Sequence, residues 1–389
     1  MNPAQKEMAE ITNKERLHGD LKTAMKGRDI FVGVSAPNIV TSDGAEKKKR
    51  MKTNKEKMRK ITINLAAVAA FCIVVASPAL VSSSCATPKT EQEDTTIIRE
   101  DSGITALKYS SPEVPASIEF CGKTIDLSRF DRHERMDREL LAFTYMHSTS
   151  LQMLKKANRY FPIVEPILKE NGIPDDFKYL MVIESNMNPT ARSSAGAAGL
   201  WQFMQGTGRD YGLEVNNNVD ERYHIEKATR AACRYLKDAY AKYKDWVAVA
   251  ASYNAGQARI ASQLAKQDVD DSLDLQLVEE TARYVYRILA AKQLFNAPTT
   301  FGFRLRASDL YPPIPYTEIT VTKGIADLAR FARSKGINLA ILKNMNPWLR
   351  ETSLSNHSGR TYVIKIPTKE GMTYDPKKTV AHDKRWVIE

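Results

Sequence analysis

Residues Met181 to Met204 read MVIESNMNPTARSSAGAAGLWQFM, an apolar run that ends in a glutamate and continues into small side chains. Upstream, Phe177 and Leu180 share a helical spacing with Glu184, so a buried helix stripe runs directly into this carboxyl group. Burial disfavours the ionised form and raises a carboxyl pKa, which predicts that Glu184 holds a proton near neutral pH and acts as a general acid. The competing interpretation is structural: Glu184 caps a neighbouring helix or pairs with an arginine.

The segment that follows Glu184 has the composition of a ligand-binding loop. Asn188-Pro189 ends the helix, and the next residues have small side chains that let backbone and ligand approach closely. A P-loop is excluded because no Gly-Lys-Ser/Thr follows, and GTGRDYG is no dinucleotide site because no strand precedes it. Three aromatic residues offer surfaces of the kind that sugars stack against: Trp201, Phe203 and Tyr253.

Several stretches resemble, in order, the signature of the family 1 lytic transglycosylases, the SLT domain. They are ES followed by NP, then S..GA.GLWQFM, then SYNAG and ET..YV. The resemblance covers Asn158 to Gly302 and is closest to one membrane-bound subgroup of that family. A departure is YHIEK (Tyr223–Lys227), because the subgroup usually has Arg-Asp-Pro at this place.

The resemblance implies a mainly α, goose-lysozyme-like domain that cleaves the MurNAc-β-1,4-GlcNAc bond of peptidoglycan and leaves 1,6-anhydroMurNAc ends. Glu184 is the implied single catalytic residue, acting first as acid and then as base, without a cofactor. The hydroxyl of Tyr253 is expected to orient Glu184. The implied substrate-binding residues are Ser185, Ser193, Gln202, Phe203, Met204, Tyr253, Asn254 and Tyr284.

Two other functions stay open on the sequence. A hydrolytic muramidase on the same fold would use Asp220 or Glu221 to activate water. A catalytically idle wall protein would only bind glycan. A metal enzyme is not supported, because the six histidines are scattered and no HExxH or CxxC spacing occurs.

The basic charge of the chain is concentrated near its N-terminus. The net charge is +11, but residues 1–60 hold 15 Lys/Arg against 8 Asp/Glu, which leaves 42 against 38 elsewhere. This remainder is too weakly basic to indicate a nucleic-acid partner.

A basic block is followed by LAAVAAFCIVVA (Leu65–Ala76) and then by VSSSC, an order typical of an export signal. The resemblance of VSSSC to a lipobox predicts lipid attachment at Cys85. Met51 or Met58 is a more natural start than Met1, so residues 1–50 form an uncertain leader. The expected location is the bacterial envelope, as an outer-membrane lipoprotein or a membrane-associated periplasmic protein.

The later chain changes from helical periodicity to a short β-α-α-β pattern after the proline-rich YPPIPY. This pattern resembles a LysM domain, which binds N-acetylglucosamine, although Ile325-Ala326 replace the usual Asp-Thr. The alternative is a stabilising appendage without glycan affinity. A monomer is expected, and Cys121 and Cys233 could form a disulfide. The predicted boundaries are 51–84 for the signal, 85–115 for a polar tether, 116–302 for the helical domain, 303–315 for a linker, 316–367 for the LysM-like module and 368–389 for a charged, uninformative tail.

Overall fold

The structure is a computed structural model that describes residues 111–388. The predicted leader, the export signal, Cys85 and most of the tether lie outside this range and stay predictions. The fold is mainly α, as predicted. The helical domain contains β1 (Ser117–Phe120), β2 (Lys123–Asp126), α1 (Phe130–Tyr145), α2 (His147–Glu170), α3 (Phe177–Ser185), α4 (Gln205–Asp210), α5 (Ile225–Tyr243), α6 (Trp246–Ala255), α7 (Gln257–Gln267) and α8 (Glu279–Asn296).

Helix α8 lies at the centre of the helical domain and packs against α1, α3 and α6. Most of its side chains are buried, as expected for a helix covered on several sides. Arg283 of α8 holds the buried Glu139 of α1 with two bonds of 2.5 and 3.2 Å. Glu184 lies in α3, and the SYNAG motif lies at the end of α6. Because α8 packs against both helices, it sets the distance between Glu184 and this motif.

The hairpin of β1 and β2 was not predicted. Its two-residue turn, Cys121-Gly122, has φ of 53° and 82°, the left-handed geometry that a tight hairpin needs. The hairpin buries Phe120, whose ring lies 5.9 Å from that of Phe177 at the start of α3. The hairpin therefore covers the base of the helix that carries Glu184.

Helix α2 continues through two prolines. Pro162 and Pro166 both lie inside this 24-residue helix. Each proline removes a backbone donor. The long apolar face of α2, buried at Phe161, Val164 and Leu168, outweighs that loss.

The β-α-α-β module is confirmed. Its elements are β3 (Tyr316–Val321), α9 (Leu328–Ser334), α10 (Leu339–Met345) and β4 (Tyr362–Pro367). Strands β3 and β4 pair antiparallel, with Tyr316 opposite Pro367. Asp327 caps α9 by accepting hydrogen bonds from two backbone amides. It lies two residues after Ile325, which stands where a LysM domain usually has an aspartate.

The C-terminal tail, for which the sequence predicted no structure, packs onto the helical domain. Trp386 is 3% exposed, and its indole nitrogen donates to the carbonyl of Phe295 at the end of α8. His382 contacts Glu165 of α2 at 2.8 Å. The chain therefore leaves the helical domain at the linker, forms the module and returns to the helical core.

The disulfide between Cys121 and Cys233 does not form in the structure, where both thiols are free. Cys121 belongs to the hairpin turn, whereas Cys233 is buried in α5, where burial raises the pKa of its thiol to about 11. Within residues 111–388, none of the helices is both long and apolar enough to cross a bilayer.

Candidate active site

Glu184 lies in the last turn of α3. The helix ends immediately after it because Asn186 and Met187 take left-handed φ values of 48° and 58°. The carboxyl group faces Tyr284 of α8, which donates its hydroxyl hydrogen bond to Glu184 Oε1. Glu184 therefore lies at the end of a buried apolar stripe of α3, as predicted.

The environment of Glu184 favours the protonated carboxyl group. Burial raises the pKa of Glu184 to about 7, against the opposing hydrogen bond from Tyr284 and the charge of Arg287, while Glu280 raises it further. The structural interpretation, an ion pair that holds the carboxylate charged, would have lowered the pKa instead. A carboxyl group with a pKa near 7 can both give and take a proton at neutral pH.

The orienting tyrosine is not the one that the sequence indicated. Tyr253 of α6 donates its hydroxyl to the backbone carbonyl of Trp201 at 2.8 Å. Tyr284, which was expected to bind substrate, is the residue that contacts Glu184. Tyr253 is near enough for the charge of Glu184 to raise its pKa, after burial as the larger cause. The hydroxyl that contacts Glu184 is therefore that of Tyr284, and the hydroxyl of Tyr253 holds the loop residue Trp201 instead.

Residues 191–204 form a loop beside α3 that we call the 191–204 loop. Ser193 is exposed, and its hydroxyl accepts the amide of Ala197. Gln202 has a φ of 48°, and its side-chain amide donates to the carbonyls of Ala191 and Gly199 at 3.2 and 2.7 Å. Met204 is 46% exposed at the end of the loop. The loop therefore uses its own polar groups for its shape and leaves Ser193 and Met204 accessible.

Two aromatic residues of this loop do not offer the stacking surfaces expected of them. Trp201 is 0% exposed, and its indole donates to Thr229 of α5. Phe203 is 3% exposed and packs with its ring 6.4 Å from that of Tyr253. Both side chains turn into the core because burial of a large aromatic ring outweighs any gain from exposing it.

Two smaller polar residues of the expected substrate set have internal partners. Ser185 is buried, and its hydroxyl donates to the carbonyl of Met181 within α3. Asn254 accepts a hydrogen bond of 2.9 Å from the hydroxyl of Thr281, which links the end of α6 to the start of α8.

The carboxylates proposed for water activation are bound to basic residues. Asp220 is buried and holds Arg222 at 2.7 and 2.9 Å. Glu221 is also buried, where it accepts the amide of Glu214 at 2.8 Å and pairs with Lys227. Across residues 111–388, no three His, Cys, Asp or Glu side chains are grouped closely enough to hold a metal ion.

The residue that sequence reasoning missed is Arg222. Its guanidinium donates to the carbonyls of Gly196 and Phe203 at 2.8 and 3.0 Å and so supports the 191–204 loop from behind. The only signal for Arg222 in the sequence is its place in VDERY, directly after two acidic residues and before an aromatic residue.

Replacing Tyr284 with phenylalanine should move the pH profile to higher pH. The lost hydrogen bond favours the carboxylate, so its removal raises the pKa of Glu184 above about 7. Because the carboxylate form of Glu184 also loses its hydrogen-bond donor, we expect kcat/KM to fall about tenfold to a hundredfold at pH 7. The measurement is kcat/KM on soluble glycan between pH 5 and 9.

Tyr253→Phe is the matched control, because its hydroxyl is bonded to Trp201 and not to Glu184. The alkaline limb of the pH profile of Tyr253→Phe should coincide with that of the unsubstituted protein. A profile that moves in Tyr253→Phe but not in Tyr284→Phe would contradict the assignment.

Two family models match the chain. Residues 162–274 match the Transglycosylase SLT domain, and residues 317–370 match the Soluble lytic transglycosylase C-terminal LysM-like domain. The chain thus carries an SLT domain followed by a LysM-like domain, which confirms the resemblance found in the sequence.

The chain is homologous to membrane-bound lytic murein transglycosylase D of Escherichia coli K12, with 28% identity over 61% of this chain and 51% of the relative. It therefore spans about half the length of the curated relative. Peptidoglycan transglycosylase gp16 of phage T7 is 30% identical over 34% of this chain and 10% of its own. The solved 70 kDa soluble lytic transglycosylase of E. coli covers 35% of this chain, at 22% identity and a TM-score of 0.32.

Proposed function

We propose that the protein is a lytic transglycosylase that cleaves the MurNAc-β-1,4-GlcNAc bond of peptidoglycan. The observation that carries this proposal is Glu184, a carboxyl group with a pKa of about 7 held by a single tyrosine. The SLT domain match and the names of the relatives support the same reaction class.

In the first step, protonated Glu184 gives its proton to the glycosidic oxygen as the bond to MurNAc C1 breaks. The bond electrons leave with that oxygen, and the released GlcNAc carries a new hydroxyl. The acetamido oxygen of MurNAc stabilises the positive charge that develops at C1. General acid assistance of this kind contributes about 10² to 10⁴ in rate.

In the second step, the 6-hydroxyl of the same MurNAc attacks C1, and Glu184, now a carboxylate, takes the hydroxyl proton. The bond formed between O6 and C1 closes a 1,6-anhydro ring and restores protonated Glu184. Because the nucleophile belongs to the substrate, its effective concentration is high and no second carboxylate is required. The hydrogen bond from Tyr284 favours the carboxylate that exists between the two steps.

The hydrolytic muramidase is the runner-up, and the ion pairs of Asp220 and Glu221 count against it. Buried carboxylates held by Arg222 and Lys227 are poorly placed to activate a water molecule. The test is mass spectrometry of products from purified peptidoglycan. Anhydro ends, which lack one water relative to reducing ends, support the transglycosylase; reducing ends alone would contradict it.

We place the enzyme at the bacterial envelope, where its substrate is, with attachment through Cys85 to a membrane. The similarity to membrane-bound lytic murein transglycosylase D supports an envelope location. Fractionation of cells that express the full chain tests this placement, and recovery from the cytoplasmic fraction would contradict it.

A further inference from the structure

The LysM-like module is joined to the helical domain along the turn that precedes α5. The backbone of Asp220 donates to the carbonyl of Trp348, and that of Arg350 donates to the carbonyl of Asn218, both at 2.9 Å. The side chain of Asn218 also donates to the carbonyl of Ser353 and accepts the amide of Ser355. The module thus extends the backbone hydrogen bonding of this turn.

Apolar and aromatic contacts reinforce the junction. Val219 and Tyr223 are buried in the core of the module together with Trp348. The guanidinium of Arg350 lies 4.3 Å from the ring centre of Tyr223. His224 is stacked on Trp348 at 6.0 Å. Residues of this turn therefore belong to the core of the module itself.

Charged pairs span the same junction. Lys365 of β4 pairs with Glu226 at the start of α5. Burial alone would raise the pKa of Glu226, but its bond with His224 and the charge of Lys365 lower the pKa to about 2. A second carboxylate, Glu214, accepts from Arg360 and from the hydroxyl of Tyr362, each at 3.0 Å. His224 and Glu226 belong to YHIEK, where the sequence departs from the family pattern.

The turn transmits this contact to the 191–204 loop. Arg222, bound to Asp220, donates to the carbonyls of Gly196 and Phe203. A Cβ atom on Gly199 would lie 1.9 Å from the carbonyl oxygen of Arg222, so turn and loop are in direct contact. Ala198 of the loop is itself part of the module core.

We propose that the LysM-like module positions the 191–204 loop for catalysis, with Arg222 as the positioning residue between them. This inference rests on the proposed function. The module affects the reaction even though no group on it is required to touch glycan. The loop leads to Met204 and carries the Trp201 carbonyl that holds Tyr253, so a displaced turn shifts the surroundings of Glu184. A displacement of about 1 Å near the reacting groups can cost an enzyme tenfold or more in rate.

The test is charge reversal at the junction of the full chain. Lys365→Glu and Glu226→Lys each place like charges together, and kcat on a short soluble glycan of alternating GlcNAc and MurNAc should fall about tenfold. The double variant restores opposite charges and should recover most of the rate. Lys365→Met, which keeps the stem of the side chain, serves as a milder variant if a reversal impairs folding. Lys369→Glu, at an exposed lysine two residues after the end of β4, is the matched control and should retain the full rate.

Each outcome decides between positioning and glycan capture. Equal losses of kcat on short glycan and on whole sacculi, with rescue in the double variant, support positioning. Losses confined to sacculi, or a double variant no better than the singles, overturn it. An inactive unsubstituted protein contradicts the proposed function instead, so the two failures are distinguishable.

Discussion

Glu184→Gln is expected to abolish cleavage of peptidoglycan, with a loss of at least about 10² to 10⁴ in kcat. The amide has nearly the shape of the protonated carboxyl group but can neither give a proton to the glycosidic oxygen nor take one from the 6-hydroxyl. The measurement is the release of anhydro-ended fragments from purified peptidoglycan. Undiminished release by Glu184→Gln would rule out Glu184 as acid and base.

The same substitution should stabilise the fold at alkaline pH, which separates loss of catalysis from loss of structure. The pKa of Glu184 is about 7 in the folded state and near 4.3 when unfolded, so the folded state binds the extra proton between these values. The free energy of unfolding of the unsubstituted protein therefore falls as pH rises from about 4.3 to about 7, by about 4 kcal/mol. Glutamine has no such loss, so urea unfolding at pH 8 should show Glu184→Gln as the more stable protein.

Trp386→Ala is expected to cost about 3–5 kcal/mol of unfolding free energy. The indole lies 5.8 Å from the ring of Phe161 and 5.5 Å from that of Phe295, and its removal leaves a cavity between α2 and α8. It also deprives the Phe295 carbonyl of its donor. Urea denaturation of the full chain measures the effect.

Lys384→Ala is the matched control, because this exposed neighbour should change stability by no more than about 0.5 kcal/mol. If both variants unfold at the same urea concentration as the unsubstituted protein, the tail does not belong to the core. A loss confined to Trp386→Ala means that deletion of the C-terminal residues would damage the helical domain.

The sequence predicted the elements whose patterns are local. The stripe from Phe177 to Glu184 marked both the end of α3 and the burial of a carboxyl group. The alternation at Tyr316–Val321 and Tyr362–Pro367 marked two strands that pair as expected. These features depend on nearby residues and on burial of one face, which periodicity records directly.

Features that depend on distant contacts could not be predicted in this way. In the sequence, Trp201 and Phe203 could equally stack against a sugar or be buried in the core. The packing of α5 and α6 against the 191–204 loop buries both. Tyr253 and Tyr284 are equivalent hydroxyl donors in the sequence, and the packing of α8 on α3 selects Tyr284. Trp386 stands among charged residues, so its return to α2 and α8 has no local signal.

The most direct test of the proton on Glu184 is a titration of its carboxyl carbon by NMR, with Glu184→Gln used to assign the signal. We predict a midpoint of about 7, as burial against Tyr284 requires. A midpoint near the ordinary value of about 4.3 would mean that the carboxyl group is ionised at neutral pH, and would contradict its role as the acid.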